Sequence, residues 1–364
     1  MPYQRPNHGG DLTWAAQVAG CAPPDLLDFS ASISPLGPPA TAIAAIQSGL
    51  SDIARYPNPS YGTLKAALAE HHQVPAEWIA VGNGAAELLT WAGRDLASRA
   101  ATFLITPAFG DYGRSLRAFD ADIIPCPLSL GVTELQPTAW LGCIKAQTGD
   151  LDLSQCGLLL NTPHNPTGFL IPEDVITQWL TQFGLVVIDE AFMDFLPPAR
   201  QTSLIHRVAD CANLVIIRSL TKFYSLPGLR LGYAIAQPER LQRWQQWRDP
   251  WPVNTLAATA AVACLADQDY QQSSWQWLNE ARPSLIKALN ALPGLQALPG
   301  QANYLLIHTT KSAMALQQYL LQRHQIFIRD CMSFAELGDR YFRIAVRTPA
   351  ENQRLVSALT IDRG

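Results

Sequence analysis

One lysine, Lys222, stands among hydroxyls, glycine and arginine in a pattern that can do covalent chemistry. The apolar run 213–218 predicts a buried strand that ends where the hydroxyls begin, so the lysine should point into a cleft. A lysine there can hold a carbonyl compound as a Schiff base. The hydroxyls of Ser219 and Thr221 and the guanidinium of Arg230 offer donors to a phosphate dianion. The alternative for this segment is a surface turn with one solvated lysine.

Three other predicted strands end in polar residues that complete such a site. One delivers Asp189, whose carboxylate can pair with a protonated pyridine nitrogen and create an electron sink, although a helix cap or half of an ion pair is the alternative. Another leads into a Pro/Gly turn with Asn165, whose amide can donate to a phenolate oxygen. The third enters a glycine turn at Gly84, and the N–H groups of Ala85 and Ala86 then open a helix that can bind phosphate. A glycine turn alone is weak evidence, because dinucleotide folds use the same device.

The order of these elements, over about 150 residues, resembles fold-type I pyridoxal phosphate enzymes of the aspartate aminotransferase superfamily. Over nearly all 364 residues the chain resembles the branch that holds the histidinol-phosphate aminotransferases and the threonine-phosphate decarboxylases. The resemblance implies a Schiff base on Lys222, Asp189 at the pyridine nitrogen and Asn165 at the ring oxygen and the substrate. It implies ring stacking by Phe109, for which simple core packing is the alternative. The implied contacts to the cofactor phosphate are Gly84, Ala85, Ala86, Ser219, Thr221 and Arg230.

Two features separate the branches. The opening with His8 and Gly9 resembles threonine-phosphate decarboxylases, which implies that both residues and Ser32 contact the phosphorylated substrate. Phe192 stands where the aminotransferases usually carry a tyrosine. Ser32 and Ser34 depart from the asparagines usual in the decarboxylases, which leaves the reach to the substrate open. For His8 the alternative is a mobile side chain near a terminus.

The C-terminal part supplies further positive charge. Alternating apolar and polar residues in 325–330 and 341–347 predict strands, so Arg329 and Arg343 should project from one small sheet. The resemblance implies that these two arginines bind the substrate's phosphate and carboxylate, in an order that stays open. Arg347 is interpreted as a surface arginine on an edge strand.

The resemblance also implies an activity and an assembly. Tyr56 resembles a tyrosine that reaches the cofactor phosphate of the neighbouring subunit, which implies a homodimer with shared active sites. The implied reaction is decarboxylation of L-threonine O-3-phosphate to (R)-1-aminopropan-2-ol O-2-phosphate, for the cobalamin nucleotide loop. Phosphoserine as a second substrate stays open. The alternative is histidinol-phosphate aminotransferase. A remote third interpretation, a regulator that senses pyridoxal phosphate, is disfavoured because there is no room for a helix-turn-helix domain and no basic stretch.

Strand patterns that alternate with helical patterns predict an α/β fold with a mostly parallel sheet wrapped by helices. The resemblance makes it a seven-stranded sheet in a large domain with a smaller α+β C-terminal domain. We expect an N-terminal arm with part of the small domain over 1–50, a large cofactor-binding domain over 51–248 and the small domain over 249–364. Three tryptophans near the second boundary are interpreted as hinge or interface packing.

Composition agrees with a metabolic enzyme. The chain is 48% hydrophobic and 15% charged, as globular proteins are, and its net charge of −4 argues against nucleic acid as a partner. The seven cysteines include no CxxC pair, so no metal site is expected, and their scatter suits a reducing cytoplasm. The polar start argues against export, and the longest small-apolar stretch, 256–266, is too short for a membrane span.

Overall fold

The structure is a computed structural model that describes residues 6, 8–128, 144, 146 and 151–361. Its strands are β1 (Leu27–Asp28), β2 (Ile79–Asn83), β3 (Thr102–Thr106), β4 (Ile123–Pro127), β5 (Gly157–Asn161), β6 (Leu185–Asp189), β7 (Leu214–Ser219), β8 (Leu231–Ile235), β9 (Leu295–Ala297), β10 (Tyr304–Thr309), β11 (Ile326–Phe327), β12 (Arg329–Asp330) and β13 (Tyr341–Ala345). Its α-helices are α1 (Leu12–Ala19), α2 (Ala40–Ser48), α3 (Gly62–His72), α4 (Gly84–Ala97), α5 (Gly110–Arg117), α6 (Glu173–Leu180), α7 (Leu220–Phe223), α8 (Pro238–Gln245), α9 (Thr255–Ala266), α10 (Gln268–Asn290), α11 (Ala313–His324) and α12 (Pro349–Ile361).

The larger sheet has seven strands in the order β2-β8-β7-β6-β5-β3-β4. β8 runs antiparallel to both of its neighbours, and the other strands are parallel to one another. Every residue of β3, β5, β6 and β7 is buried, as expected where helices cover both faces of a parallel sheet. The predicted fold class is therefore confirmed.

The strand patterns at 102–106, 157–161 and 185–189 match β3, β5 and β6 residue for residue, whereas those at 78–81, 122–125 and 213–218 begin one residue before β2, β4 and β7 and end before them. β8 was not predicted, because Gly232 interrupts its apolar pattern and glycine is disfavoured inside strands. The glycine is needed for close packing, since a Cβ at this position would lie 2.5 Å from the backbone nitrogen of Ala85. β8 thus packs directly against the start of α4.

The parallel strands deliver their last residues to one edge of the sheet. Asn161 and Asp189 are paired in register at the ends of β5 and β6, and β7 ends at Ser219 beside them. Because ligands of open α/β sheets bind outside the carboxyl ends of the strands, this edge is the expected place for a site.

The C-terminal part forms a four-stranded antiparallel sheet in the order β12-β13-β10-β9. Arg329 of β12 and Arg343 of β13 are direct cross-strand partners, so the expectation that both project from one small sheet is confirmed. β1, from the N-terminal segment, pairs with β11 in a parallel two-stranded sheet. This pairing supports the assignment of the N-terminal segment to the small domain, and the domain boundaries themselves stay a prediction.

The stretch 256–266 lies within α9, which packs against α2 and α3. Among the described residues, no helix has both the length and the apolar character needed to cross a membrane.

The three tryptophans near the second boundary play different parts. Trp244 is fully buried in the core, and the guanidinium of Arg94 lies 4.2 Å from the centroid of the Trp247 ring. Trp251 is exposed and stacks on Tyr56, with ring centroids 4.5 Å apart.

Candidate active site

A cavity of about 230 Å³ opens at the carboxyl edge of the larger sheet. Fourteen of the sixteen residues named from the sequence line it: His8, Gly9, Ser32, Ala85, Ala86, Phe109, Asn165, Asp189, Ser219, Thr221, Lys222, Arg230, Arg329 and Arg343. Gly84 and Tyr56 do not. Residues from the N-terminal arm, the large sheet and the small sheet thus meet in one place, and the volume suits small molecules.

Lys222 lies in α7, a single helical turn that begins directly after β7. Ser219 and Thr221 carry hydroxyls close to it in the sequence, and the Oγ of Ser219 lies 2.7 Å from the Oγ1 of Thr221. Burial, and after it the positive charges of Arg343 and Arg230, lower the pKa of the Lys222 ammonium to about 8. About a tenth of the amine is then unprotonated at pH 7, far more than for an ordinary lysine, and the unprotonated form is the nucleophile.

Asp189 is buried at the end of β6, and two donors hold its carboxylate. The phenol of Tyr112 donates to Oδ2 at 2.8 Å, and the backbone N–H of Ala191 donates to Oδ1 at 2.8 Å. Burial raises the pKa of Asp189 to about 6, although these donors and Lys222 oppose the shift. A cation placed beside it in the cavity would stabilise its ionised form.

Tyr112 was not identified from the sequence, although it lines the cavity and fixes Asp189. The available signal was its spacing, three residues after Phe109 at the start of α5, which puts the two side chains on one helix face. Their rings meet edge to face, with centroids 5.6 Å apart. Burial, together with the charge of Asp189, raises the pKa of the Tyr112 phenol well above its ordinary value, so it remains a donor.

The start of α4 forms an anion site with the lysine loop. Gly84 has a φ of +76°, and a Cβ there would lie 2.4 Å from Nη2 of Arg230, so the guanidinium crosses over the glycine. The N-cap residue Asn83 makes no side-chain capping bond. The first N–H groups of α4, including those of Ala85 and Ala86, therefore lack a side-chain cap and face the same space as the guanidinium and the hydroxyls.

Arg343 is buried and lines the same cavity. It donates through Nη1 to Oδ1 of Asn165 and through Nη2 to the carbonyl oxygen of Ser30 at 3.3 Å. Its guanidinium lies 4.9 Å from the ring centroid of Tyr304, and its buried Nε has no hydrogen-bond partner among the described residues. In the described part of the chain no carboxylate lies within ion-pair distance of it. The charge is thus available to an anionic ligand.

Arg329 and His8 bring the small sheet and the N-terminal arm together. Arg329 donates through Nη2 to Oγ of Ser333 at 2.7 Å and through Nη1 to the carbonyl oxygen of Pro6 at 3.2 Å. The ring of His8 lies 5.5 Å from that of Phe109, centroid to centroid. Partial burial, and then the charge of Arg329, lower the pKa of His8, so it is mainly neutral at pH 7 until an anion binds.

Ser32 and Phe192 are buried and line the cavity. The Oγ of Ser32 has no hydrogen-bond partner among the described residues. Phe192 packs edge to face on Tyr304, with centroids 4.9 Å apart, and offers no hydroxyl at that position. A buried hydroxyl without a partner costs free energy, so a ligand that accepts from Ser32 gains affinity.

Asp189 is the only carboxylate among the described residues that line the cavity, whereas Lys222, Arg230, Arg329 and Arg343 line it as cations. The whole chain has a net charge of −4, so this excess of positive charge is local. The cavity is built for ligands with more than one anionic group. Across the described residues, no group of three or more histidine, cysteine or acidic side chains is arranged to hold a metal ion.

The geometry agrees with the relatives of the chain. Residues 24–359 match the family model described as "Aminotransferase class I and II". This protein belongs to that family.

Individual relatives show which members of this family the chain is similar to. The chain is 40% identical over 361 residues to the threonine-phosphate decarboxylase of Salmonella typhimurium, covering 97% of this chain and 95% of the relative. It is 30% identical to the adenosylcobalamin biosynthesis bifunctional protein CobDQ of Leptospira interrogans, covering 98% of this chain and 41% of that protein. It is also 30% identical to histidinol-phosphate aminotransferase 2 of Ralstonia nicotianae, covering 96% of this chain and 92% of the relative. The crystal structure of L-threonine-O-3-phosphate decarboxylase from Porphyromonas gingivalis matches with a TM-score of 0.81 at 25% identity, over 93% of this chain and 99% of the other.

Pyridoxal phosphate is the cofactor implied by this aminotransferase family, and the cavity fits it. Arg230 crosses Gly84, where a Cβ would exclude it, beside paired hydroxyls and helix N–H groups that suit a phosphate dianion. Lys222 offers an amine of lowered pKa to the aldehyde, and Asp189 offers a carboxylate to the ring nitrogen. Phe109 offers an aromatic face at the cavity wall.

Tyr56 and Arg347, both discussed from the sequence, do not line the cavity. The side chain of Tyr56 is 80% exposed, so a contact with a cofactor phosphate requires a second subunit. Arg347 is not the surface arginine that the sequence predicted. It is partly buried and donates to Glu351 at 2.7 Å and to the carbonyl oxygen of Asp28 at 3.0 Å. The prediction failed because the strand pattern does not show that α12 and β1 cover this position.

Proposed function

We propose that this protein is a pyridoxal-phosphate-dependent carboxy-lyase. Its substrate is L-threonine O-3-phosphate, and its products are (R)-1-aminopropan-2-ol O-2-phosphate and carbon dioxide, for the cobalamin nucleotide loop. The observation that carries the proposal is a second set of residues in the same cavity, Arg329 and Arg343 with His8, which adds two positive charges beyond those that suit the cofactor. The names of the similar proteins, a threonine-phosphate decarboxylase and an adenosylcobalamin biosynthesis protein, support it.

The cofactor group of residues performs the general chemistry. Lys222 attaches the cofactor, and Ser219, Thr221, Arg230 and the start of α4, with Gly84, Ala85 and Ala86, hold its phosphate. Asn165 binds the ring oxygen, and Phe109 covers one ring face. When bound, pyridoxal phosphate supplies an electron sink for the bond that breaks at the substrate Cα. A protonated ring nitrogen would stabilise the ionised form of Asp189, and the hydrogen bonds from Tyr112 and the N–H of Ala191 hold both carboxylate oxygens in place.

The substrate group of residues decides which bond breaks. The bound cofactor would accept electrons from whichever Cα bond the protein presents to it. Arg329 and Arg343 bind the two anions of the substrate, and His8, Gly9 and Ser32 complete its phosphate contacts. These contacts would present the Cα–carboxylate bond for cleavage in place of the Cα–H bond. The Nζ of Lys222, which lines the cavity, would then supply the proton that Cα needs once carbon dioxide has left.

Histidinol-phosphate aminotransferase is the second candidate, because a relative of that name is 30% identical and the cofactor residues would be shared. The deciding experiment supplies the purified holoenzyme with phosphothreonine alone and, separately, with histidinol phosphate and 2-oxoglutarate. We expect carbon dioxide from the first mixture and little glutamate from the second. Glutamate formation that is faster than carbon dioxide release would establish the aminotransferase instead.

We further propose a homodimer in which Tyr56 contacts the cofactor phosphate of the other subunit. Apolar side chains lie exposed near it in the sequence, with Leu50 51% and Ile53 66% exposed, and the stacked Trp251 is 41% exposed. A second copy that covers them would remove this surface from water. Light scattering should give twice the mass of 39.9 kDa, and a monomer that retains full activity would contradict the shared site. The cytoplasmic location stays a prediction.

A further inference from the structure

The N-terminal arm meets the rest of the protein at Ser30, which is fully buried. The backbone N–H of Gly10 donates to the Oγ of Ser30 at 2.8 Å. Gly9 lies so close that a Cβ there would be 2.3 Å from the carbonyl oxygen of Ser30. The segment that carries His8 therefore contacts Ser30 by a hydrogen bond and by close packing, in addition to the bond from Arg329 to the Pro6 carbonyl oxygen and the ring contact of His8 with Phe109.

The other contacts of Ser30 fix it from inside the protein. Its hydroxyl donates to Oδ1 of Asp28 at 2.7 Å, which leaves a lone pair for the N–H of Gly10. Its own N–H donates to the same carboxylate oxygen at 2.7 Å. Its carbonyl oxygen accepts from Nη2 of Arg343 at 3.3 Å. One residue thus contacts the arm, a partly buried carboxylate and a cavity arginine.

We propose that Ser30 is a positioning residue that docks the N-terminal arm, and with it His8, beside Arg343 at the substrate side of the cavity. The contribution of Ser30 to turnover rests on the proposed function, because it acts through the contact between His8 and substrate. The docking itself does not depend on the reaction. Ser30 lines the cavity, yet its hydroxyl is used by Asp28 and Gly10, so it serves the arm rather than the substrate.

Site-resolved amide hydrogen exchange over residues 8–12 of the holoenzyme tests the docking directly. The Ser30→Ala variant removes the acceptor of the Gly10 N–H, and Gly9→Ala places a methyl group against the Ser30 carbonyl oxygen. We expect faster exchange over the whole segment in both variants and no change in His8→Ala. Faster exchange at Gly10 alone would overturn the proposal, because it would show a lost hydrogen bond with the arm still docked.

Ser98→Ala serves as the matched control. Its hydroxyl donates to the carbonyl oxygen of Asp95 at 2.6 Å near the end of α4, away from the arm. Exchange over residues 8–12 and the kinetics should equal the wild type. Gly9→Ala keeps the proposal testable if Ser30→Ala folds poorly, since its new methyl group lies in the arm itself.

A double-mutant cycle with phosphothreonine tests the role in turnover. Ser30→Ala and His8→Ala should each lower kcat/KM by about tenfold, which is the effect of one lost hydrogen bond to a charged group. The double variant should be no worse than either single variant, because an undocked arm has no histidine contact to lose. If kcat/KM of the double variant falls by the product of the two single effects, Ser30 does not act through His8. If His8→Ala alone is fully active, the proposed substrate contact fails while the exchange result still stands.

Discussion

The two sides of the cavity are built in different ways. The residues proposed to bind the cofactor lie between positions 84 and 230, and most of them lie at or near strand ends of one sheet. The substrate side joins His8 and Ser32 to Arg329 and Arg343, which lie some 300 residues away along the chain.

They also differ in how their polar groups are satisfied. Both carboxylate oxygens of Asp189 accept hydrogen bonds, and the hydroxyls of Ser219 and Thr221 bond each other. On the substrate side, the Oγ of Ser32 and the Nε of Arg343 are buried without partners among the described residues. On the cofactor side the Oδ1 of Asn161, at the end of β5, also has no partner among the described residues, but the groups proposed to bind the cofactor are held by the sheet and by each other. Changes on the first side should therefore affect every substrate, and changes on the second should affect the choice of substrate.

The largest effect should follow Lys222→Ala. The proposed attachment point and proton donor are lost together, so kcat should fall by about 10³-fold or more with any substrate. Wild-type protein should show a visible absorption band that borohydride abolishes while fixing the cofactor to this lysine. Peptide mapping of the reduced protein checks the position, and a lysine-linked chromophore in the variant would refute the assignment.

Asp189→Asn should lower kcat by about 10²-fold while cofactor binding largely persists. Without cofactor, the same variant should be more stable than the wild type at pH 8. The folded pKa of about 6 lies above the ordinary value, so the ionised carboxylate destabilises the fold above pH 6 by about 3 kcal/mol. The difference should shrink as the pH falls through 6 toward 4, where the carboxyl group is neutral. Thermal unfolding of both cofactor-free proteins at pH 8 and pH 4 measures it, and equal stability at pH 8 would contradict the burial argument.

The arginines should divide the two anions between them. Arg329→Gln and Arg343→Gln should each lower kcat/KM for phosphothreonine by about 10²-fold, because a buried charge pair is lost. Unphosphorylated threonine should be a poor substrate of the wild type. Replacing the arginine that binds phosphate should lower kcat/KM for threonine only slightly further. Arg354→Gln is a suitable control, since this arginine donates to the carbonyl oxygen of His324 at an exposed site. Equal kcat/KM values of the wild type for phosphothreonine and threonine would exclude a dedicated phosphate site.

The smallest effect should come from Ser32. Ser32→Ala should raise KM for phosphothreonine about tenfold with kcat nearly unchanged, because one hydrogen bond to the charged phosphate of the substrate is lost. Ser32→Asn tests whether the longer side chain usual in the decarboxylases restores or improves affinity. An unchanged KM in Ser32→Ala would show that the buried hydroxyl has no substrate contact.

The sequence was most informative where chemistry is local. Residues 219–230 combine lysine, hydroxyls and arginine within twelve positions, so their joint purpose is visible without a structure. Asp189 and Asn165 end apolar runs, and parallel strands bring such ends to one edge. The resemblance to a known family supplied the identity of the cofactor and the distant partners. Tyr112 escaped notice because an aromatic residue in an amphipathic helix has the pattern of ordinary core.

The sequence by itself determined the fold class, the cofactor chemistry and the list of charged groups, because strand patterns and short motifs depend on neighbours along the chain. Only the tertiary structure decided that Arg329 and Arg343 are cross-strand partners, that Arg347 donates to the carbonyl oxygen of Asp28, and that Ser30 lies between the N-terminal arm and Arg343. The physical reason is that these contacts depend on packing and register between segments as many as 300 residues apart, about which no local pattern carries information.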